Sequence, residues 1–201
     1  MSPCLVSRTS YASSLRLLAM TVVAVIGSSQ TKPDEADYQD AVRLGRALAT
    51  AGLTVASGGY GGLMEAVSEG AAEVGGSVIG VTAPRVFPGR TGVNRFVTDE
   101  RPANTLTERI HQLIHHSDAV VALPGSIGTL TELMSAWNLA FVARFSGQAP
   151  KPIVAVGPLW AELVPLLAGR LSTDETLVRC VDSVEGVTDL ITVLLRGSAN
   201  M

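Results

Sequence analysis

Apolar residues along the chain alternate between short continuous runs and longer segments with helical spacing. The first run, TVVAVIG (21–27), is uniformly apolar and ends at a glycine, as expected for a strand that is buried on both faces of a sheet. The segment after it places Tyr38, Val42 and Leu48 on one helical face and stops at Gly52. The pattern therefore predicts a strand followed by a helix, which is the repeating unit of α/β proteins.

The same alternation continues to the end of the chain. Further strands are predicted at residues 53–57, 77–83, 118–125, 152–158 and 177–183, and further helices at residues 62–75, 106–117, 129–141, 159–170 and 184–197. Residues 84–104 show little periodicity and are predicted to be irregular. Uniformly apolar strands that alternate with helices predict a parallel sheet covered on both faces. We therefore predict one Rossmann-like, doubly wound α/β domain over residues 20–198.

The first 19 residues differ from the rest in composition. They contain two arginines, five serines and no acidic residue. This composition is typical of a transit peptide, but also of a disordered extension or of a start codon assigned too far upstream. We interpret residues 1–19 as an extension ahead of the domain.

Composition and charge narrow the class of ligand. With 47% hydrophobic residues, a net charge of −3 and a pI near 5.6, the chain offers no electrostatic reason to expect nucleic acid or a membrane surface as a partner. Cys4 and Cys180 are far apart and form no zinc or disulfide pattern, which favours a reducing, cytoplasmic location. We predict a small-molecule ligand.

Glycines and small residues follow three of the predicted strands. Parallel strands bring their carboxyl ends to one edge of the sheet, where ligands of such folds bind. A glycine-rich turn that opens a helix offers unpaired N–H groups and a favourable dipole to an anion. Turns of this kind also need glycine for purely structural reasons, but three together favour a phosphate ligand. The candidate residues are Gly27, Ser28, Gly58, Gly59, Gly62, Met64, Pro124, Gly125, Ser126, Gly128 and Thr129.

The familiar cofactor motifs do not occur. The first turn is GSSQTK rather than the GxGxxG of NAD- and FAD-binding domains, and no GK[ST] of a P-loop is present. Only Lys32 and Lys151 could form a pyridoxal-phosphate Schiff base. We therefore expect no cofactor. His111 and His115 have the spacing of a metal pair, but no third ligand is evident, so we expect a solvated helix face and no metal.

Two separated motifs resemble those of the LOG family, the cytokinin riboside 5′-monophosphate phosphoribohydrolases once labelled possible lysine decarboxylases. They are SGGYGGLMEAVSEGAAEVGGSVIGV (57–81) and TERIHQLIHHSDAVVALPGSIGTLTEL (107–133). The family hallmark PGGxGTxxE is matched at Pro124, Gly125, Gly128, Thr129 and Glu132, and the resemblance covers roughly residues 21–170.

The resemblance implies hydrolysis of the N-glycosidic bond of AMP or an N6-substituted AMP, giving a free base and ribose 5-phosphate. It also implies a homodimer, and it assigns the chemistry to Glu132 and Arg109. These residue types suit the reaction, because a carboxylate stabilises an oxocarbenium-like transition state and a guanidinium grips phosphate or ribose oxygens.

Simpler structural roles exist for the same residues. Thr129 and Glu132 have the spacing of a helix capping box, as do Thr105 and Glu108, and we assign Glu108 to capping alone. Arg109 lies beside an apolar helix stripe and could be an ordinary boundary residue.

The chain also departs from the family pattern. Ser126 replaces a hallmark glycine, Glu65 stands where many members have glycine, and Ile110 replaces the basic residue expected after Arg109. A non-catalytic nucleotide- or cofactor-binding carrier on the same fold therefore remains the alternative. The irregular segment contains arginines that could supply a phosphate contact, namely Arg85, Arg90, Arg95 and Arg101.

Overall fold

The computed structural model describes residues 21–90 and 92–198, so the extension predicted at residues 1–19 lies outside the described part. Within it, seven strands form one parallel sheet and six helices cover its faces, which confirms the predicted Rossmann-like fold. The strands are β1 Val22–Ile26, β2 Thr54–Ser57, β3 Val78–Thr82, β4 Asp99–Pro102, β5 Ala119–Ala122, β6 Ile153–Val156 and β7 Arg179–Val181. The helices are α1 Ala36–Thr50, α2 Leu63–Glu73, α3 Leu106–His115, α4 Ile127–Ala143, α5 Pro158–Leu171 and α6 Val187–Ser198.

The strand order is β4-β3-β2-β1-β5-β6-β7, and every neighbouring pair is parallel. The chain runs outward from β1 to β4 on one side and then returns to place β5 on the other side of β1. The pair β1 and β5 is therefore the switch point, where the connections leave in opposite directions and open a crevice at the carboxyl ends of the strands.

The core consists of two layers, one on each face of the sheet. In β1, Val23 and Val25 pack into one layer and Ala24 and Ile26 into the other, because successive side chains of a strand point to opposite faces. The first layer is completed by helices α1, α2 and α6, and the second by α3, α4 and α5. Both faces are thus covered, which is why β1, β5 and β6 are apolar at every position.

The prediction that residues 84–104 are irregular is wrong for one part of this segment. Residues Asp99–Pro102 form β4, which pairs with β3 at the edge of the sheet. All four residues are exposed, so the strand carries no apolar alternation and hydrophobic periodicity cannot detect it. A short, charged edge strand also discourages pairing with other chains.

One helix boundary differs slightly from its prediction. Helix α5 begins at Pro158, which the sequence predicts to lie in the preceding strand. Proline suits the first turn of a helix because its missing N–H would have no partner there.

Among the described residues, no helix is both long and apolar enough to cross a membrane.

Candidate functional site

Three turns meet in the crevice beside β1, and Ser28 joins them. The Ser28 N–H donates to the carbonyl of Pro124 at 3.0 Å, and the Ser28 carbonyl accepts from the N–H of Leu63 at 2.8 Å. These bonds connect the turn after β1 to the turn after β5 and to the start of α2. The three glycine-containing turns predicted from the sequence are therefore brought to one place.

Arg109 lies on α3 and is directed into the protein, where its side chain is only 7% exposed. Its Nε donates to the carbonyl of Val81 at 2.8 Å, and its Nη2 donates to the carbonyl of Gly58 at 3.2 Å and contacts the Met64 sulfur at 3.8 Å. Its Nη1 donates to Glu132 at 3.1 Å. Four of the five guanidinium N–H groups thus have acceptors inside the chain.

Glu132 lies in the second turn of α4, and its side chain is 11% exposed. Burial raises the pKa of its carboxyl above the ordinary value, and the charge and hydrogen bond of Arg109 oppose this shift. A raised pKa in a buried acid that faces a cavity is typical of a functional carboxyl, although structural ion pairs can show the same property.

The buried pair depends on two glycines that allow close packing. A Cβ atom on Gly58 would lie 1.9 Å from Arg109 Nη2, and one on Gly125 would lie 2.1 Å from Thr129 Oγ1. Any larger residue would displace these side chains, because real Cβ contacts are never so short. The glycines of these turns therefore serve the packing of site residues.

The start of α4 answers the question raised by Ser126. Ser126 is the N-cap residue, with φ −111° and ψ −160°, an extended conformation that any residue adopts. Its side chain makes no capping hydrogen bond. Serine is thus compatible with the backbone at this hallmark position.

The capping box suggested by Thr129 and Glu132 does not form, because the helix begins two residues before Thr129 and Glu132 pairs with Arg109 instead. The other predicted cap does form: the Thr105 hydroxyl accepts from the N–H of Glu108 at 3.1 Å.

A cavity of about 280 Å³ opens beside the buried pair. Seven predicted residues line it: Gly27, Met64, Arg109, Ser126, Gly128, Thr129 and Glu132. Five other predicted residues bond to or pack against the lining and the turns that form it, namely Ser28, Gly58, Gly62, Pro124 and Gly125. Gly59 packs against Gly80 and Thr82 and does not line the cavity. Nothing lies within 4 Å of a Cβ built on Gly128, so the cavity has open space at the first turn of α4.

Sequence reasoning missed part of the lining, namely Ser29, Phe87, Leu106, Ile110 and Thr131, and did not single out Arg90 among the loop arginines. Arg101 instead pairs with Asp99 at 2.8 Å, and Arg95 lies over the ring of Phe96. Only the clustering of four arginines in one loop signalled that a cation might reach the site.

Arg90 is held by aromatic rings. Its guanidinium carbon lies 4.6 Å from the ring centre of Tyr60 and 4.5 Å from that of Phe87, and Nη2 donates to Ser29 Oγ at 3.3 Å. Burial and the nearby charge of Arg109 lower the pKa of Arg90. The protonated guanidinium is therefore incompletely compensated by its surroundings.

The histidines of α3 lie away from this cavity. His111 and His115 are exposed and their rings stack at 4.6 Å, in agreement with the solvated face predicted for them. Within residues 21–90 and 92–198, no group of three or more histidine, cysteine or acidic side chains is arranged to hold a metal ion.

Comparison with known proteins places this chain in a family. The model of the SLOG cluster4 family matches residues 20–142. The chain belongs to this family. The resemblance to LOG proteins that the two motifs predicted is thereby confirmed.

Several curated relatives of this SLOG protein are described as cytokinin riboside 5′-monophosphate phosphoribohydrolases. A cytokinin riboside 5′-monophosphate phosphoribohydrolase of Mycobacterium marinum is 30% identical over 139 residues, which are 69% of this chain and 71% of that protein. One of Mycobacterium tuberculosis is 34% identical over 59% of this chain and 61% of its own length. The Arabidopsis thaliana enzyme LOG3 is 38% identical over 54% of this chain, and the match spans half of that enzyme.

Solved structures show the same fold. The molybdenum cofactor binding protein of Rippkaea orientalis superposes with a TM-score of 0.68 at 25% identity, covering 87% of this chain and 97% of that one. The molybdenum cofactor carrier protein of Chlamydomonas reinhardtii has a TM-score of 0.67 at 24% identity, covering 88% and 98%.

Proposed function

We propose that the protein hydrolyses the N-glycosidic bond of an adenosine-type nucleoside 5′-monophosphate, giving the free base and ribose 5-phosphate. The observation that carries this proposal is the buried pair of Arg109 and Glu132 on the wall of a cavity that also includes the first turn of α4. The phosphoribohydrolases among the relatives, which are named for cytokinin riboside 5′-monophosphates, support the same substrate class.

Glu132 is the reacting carboxylate in this proposal. Breaking the bond between C1′ and the base builds positive charge on the sugar, which a nearby carboxylate stabilises. The bond from C1′ to the base breaks, the oxygen of a water molecule bonds to C1′, and Glu132 accepts the proton that the water loses. That proton then passes to the leaving base, which restores the carboxylate. The raised pKa of Glu132 suits a carboxyl that must accept a proton near neutral pH.

Arg109 orients Glu132. Four of its five N–H groups are bonded inside the chain, so one N–H remains that can donate to a ligand without the loss of an internal partner. A two-point grip on phosphate would require it to release one of these bonds. The 5′-phosphate instead lies at the start of α4, where Gly128 and Thr129 line the cavity and helix geometry leaves the first N–H groups without partners.

We further propose that the protein acts as a homodimer in the cytoplasm. Apolar side chains remain exposed along α4 and just beyond it, with Ile127 77% exposed, Val142 50% and Phe145 78%. Such a set supports a protein interface, and Ile127 lies directly beside the cavity residue Ser126. Sedimentation equilibrium should give twice the chain mass, and a monomer at micromolar concentration would contradict the proposal.

The second candidate is a carrier that binds a nucleotide or pterin-type cofactor without cleaving it. It is favoured by the superposition on a protein described as binding the molybdenum cofactor. That neighbour matches at lower sequence identity than the phosphoribohydrolases do, so hydrolysis is the better-supported function.

Base release separates the two candidates. The protein is incubated with AMP and with N6-substituted AMPs, and free base is measured by chromatography. Glu132→Gln should lower kcat by about 100- to 10,000-fold, because the reacting carboxylate is lost while the side chain keeps its shape. The matched control is Glu108→Gln, on the same helix as Arg109, which should retain activity. Glu108 is half-buried, does not line the cavity, and its carboxylate accepts from the Asn104 N–H at the start of the helix.

Two outcomes would contradict the hydrolase proposal. If the wild-type protein releases no base while nucleotide raises its Tm, the carrier function is correct. If Glu132→Gln retains full activity, the assignment of Glu132 is wrong even though the reaction stands.

A further inference from the structure

The charges around the cavity do not balance. Two guanidinium groups, those of Arg90 and Arg109, line it together with a single carboxylate, that of Glu132. Arg109 forms the ion pair with Glu132, and in the part of the chain that the structure describes no carboxylate lies within 4.0 Å of Arg90. The cavity therefore carries one cation in excess, which favours an anionic ligand.

Arg90 is also the arginine with free bonding capacity. Its Nη2 donates to the hydroxyl of Ser29, a neutral acceptor at 3.3 Å, which is a weak bond that an anion would outcompete. Arg109, by contrast, has acceptors for four of its five N–H groups. A ligand phosphate would gain more from Arg90 than from Arg109.

The position of Arg90 fits a ligand in the crevice. Ser29 follows β1, and Ser126 and Gly128 follow the neighbouring strand β5, so Arg90 and the start of α4 border the crevice from its two sides. A second cavity of about 470 Å³ shares Ser29 and Arg90 with the first. Arg90 therefore borders open space in both cavities and is accessible to a ligand.

We propose that Arg90 binds the 5′-phosphate of the substrate from the β1 side of the crevice, opposite the free N–H groups at the start of α4. The rings of Tyr60 and Phe87 hold the guanidinium at the cavity, and the phosphate replaces Ser29 as its acceptor. Arg90 then makes the site selective for the 5′-phosphorylated nucleotide over the nucleoside. This inference rests on the proposed function for the identity of the substrate.

Binding of ribose 5-phosphate and of ribose to the full chain tests the inference directly. Isothermal titration is carried out on the wild type, on Arg90→Gln and on Arg95→Gln, a control from the same loop that stacks on Phe96 but does not line the cavity. Arg90→Gln should weaken ribose 5-phosphate binding by about 10- to 100-fold and leave ribose unchanged, because charge-assisted hydrogen bonds are lost. Arg95→Gln should bind ribose 5-phosphate as tightly as the wild type does. The affinity of Arg90→Lys should lie between those of the wild type and of Arg90→Gln.

Each other outcome overturns the inference. Wild-type affinity in Arg90→Gln would show that the phosphate lies elsewhere. An equal loss for ribose 5-phosphate and for ribose would show that Arg90 does not act on the phosphate. A wild-type protein that does not distinguish ribose 5-phosphate from ribose would remove the phosphate site altogether. Circular dichroism melting curves establish that the compared variants are folded.

The same data keep this inference separate from the proposed function. If no base is released from AMP but ribose 5-phosphate binding depends on Arg90, hydrolysis fails and the phosphate site stands. If AMP is hydrolysed with the same KM by the wild type and by Arg90→Gln, hydrolysis stands and the phosphate site fails.

Discussion

Arg109 and Arg90 line one cavity, but the surroundings of the two guanidinium groups differ. Arg109 comes from a helix, is buried, and bonds to a carboxylate and two backbone carbonyls. Arg90 comes from the loop after β3, is partly exposed, and rests on two aromatic rings with one weak hydrogen bond. The first arrangement fixes a neighbouring side chain in place, whereas the second leaves a cation available to a ligand.

The difference teaches how one fold supports both rigidity and binding. A buried cation must be paired, so the environment of Arg109 is complete before any ligand arrives. A partly exposed cation can rely on water and on ring faces, so Arg90 can exchange partners at low cost. The α3–α4 side of the cavity is therefore the rigid wall and the β3–β4 loop the adaptable one.

The strongest test of the rigid wall is Arg109→Ala. It leaves the buried Glu132 carboxylate and two carbonyls without their partner, and we expect the free energy of unfolding to fall by about 3–5 kcal/mol. Urea denaturation measures this quantity. The control is Arg43→Ala, which removes exposed pairs with Asp40 and Glu185 and should cost about 0–1 kcal/mol. Equal losses in the two variants would mean that burial of the Arg109 pair carries no special weight.

A smaller effect is expected from the glycines that pack around the site. Gly58→Ala introduces a Cβ where Arg109 Nη2 lies and should lower the free energy of unfolding by about 1–3 kcal/mol. Gly128→Ala, whose Cβ meets open space within a helix, should not lower stability. Because that methyl group would occupy the first turn of α4, it should still raise KM for AMP. A loss of stability in Gly128→Ala, measured by urea denaturation, would argue that its helix turn is more crowded than described.

The pH dependence of kcat/KM tests the state of Glu132. Because burial raises its pKa, the carboxyl becomes protonated at a pH above 4.5, the ordinary glutamate value. The reacting group is the carboxylate, so activity should fall as the pH decreases through this raised pKa and be constant above it. The residual activity of Glu132→Gln should lack this acid limb. An acid limb below pH 4.5 would show that Arg109 outweighs burial.

The smallest effect is expected at Ser126. Its extended backbone needs no glycine and its side chain makes no cap, so Ser126→Gly should change stability by only about a few tenths of a kcal/mol and leave kcat/KM nearly unchanged. Base-release assays and melting curves measure both. A large gain in activity would mean that the serine hydroxyl obstructs the ligand.

Much of the fold was predictable because most strands are buried on both faces. Uniformly apolar runs such as VVAVI in β1 predict buried strands, and the helical spacing of apolar residues predicts the helices between them. The edge strand β4 was not predictable, since all four of its side chains face solvent and only backbone pairing with β3 defines it.

The residues of the site that belong to sequence motifs were predictable, whereas those in the irregular loop were not. Arg109 and Glu132 were singled out by two motifs, and Arg109 Nη1 lies 3.1 Å from Glu132 Oε1. Arg90 could not be separated from the other loop arginines, because a loop has no periodicity to tell which side chain points inward. Thr129 and Glu132 have the spacing of a capping box, but Glu132 bonds to Arg109, a residue distant in the sequence, instead of to a backbone N–H nearby.

The sequence by itself determined the layered α/β fold, a ligand site at the carboxyl ends of the strands, and the two charged residues of the buried pair. These features follow from apolar patterning and short motifs, which act over neighbouring residues. Tertiary structure alone decided which loop arginine reaches the cavity, that Arg109 bonds four of its five N–H groups inside the chain, and that Glu132 pairs rather than caps. Those outcomes depend on contacts between segments distant in the chain, whose geometry no local pattern encodes.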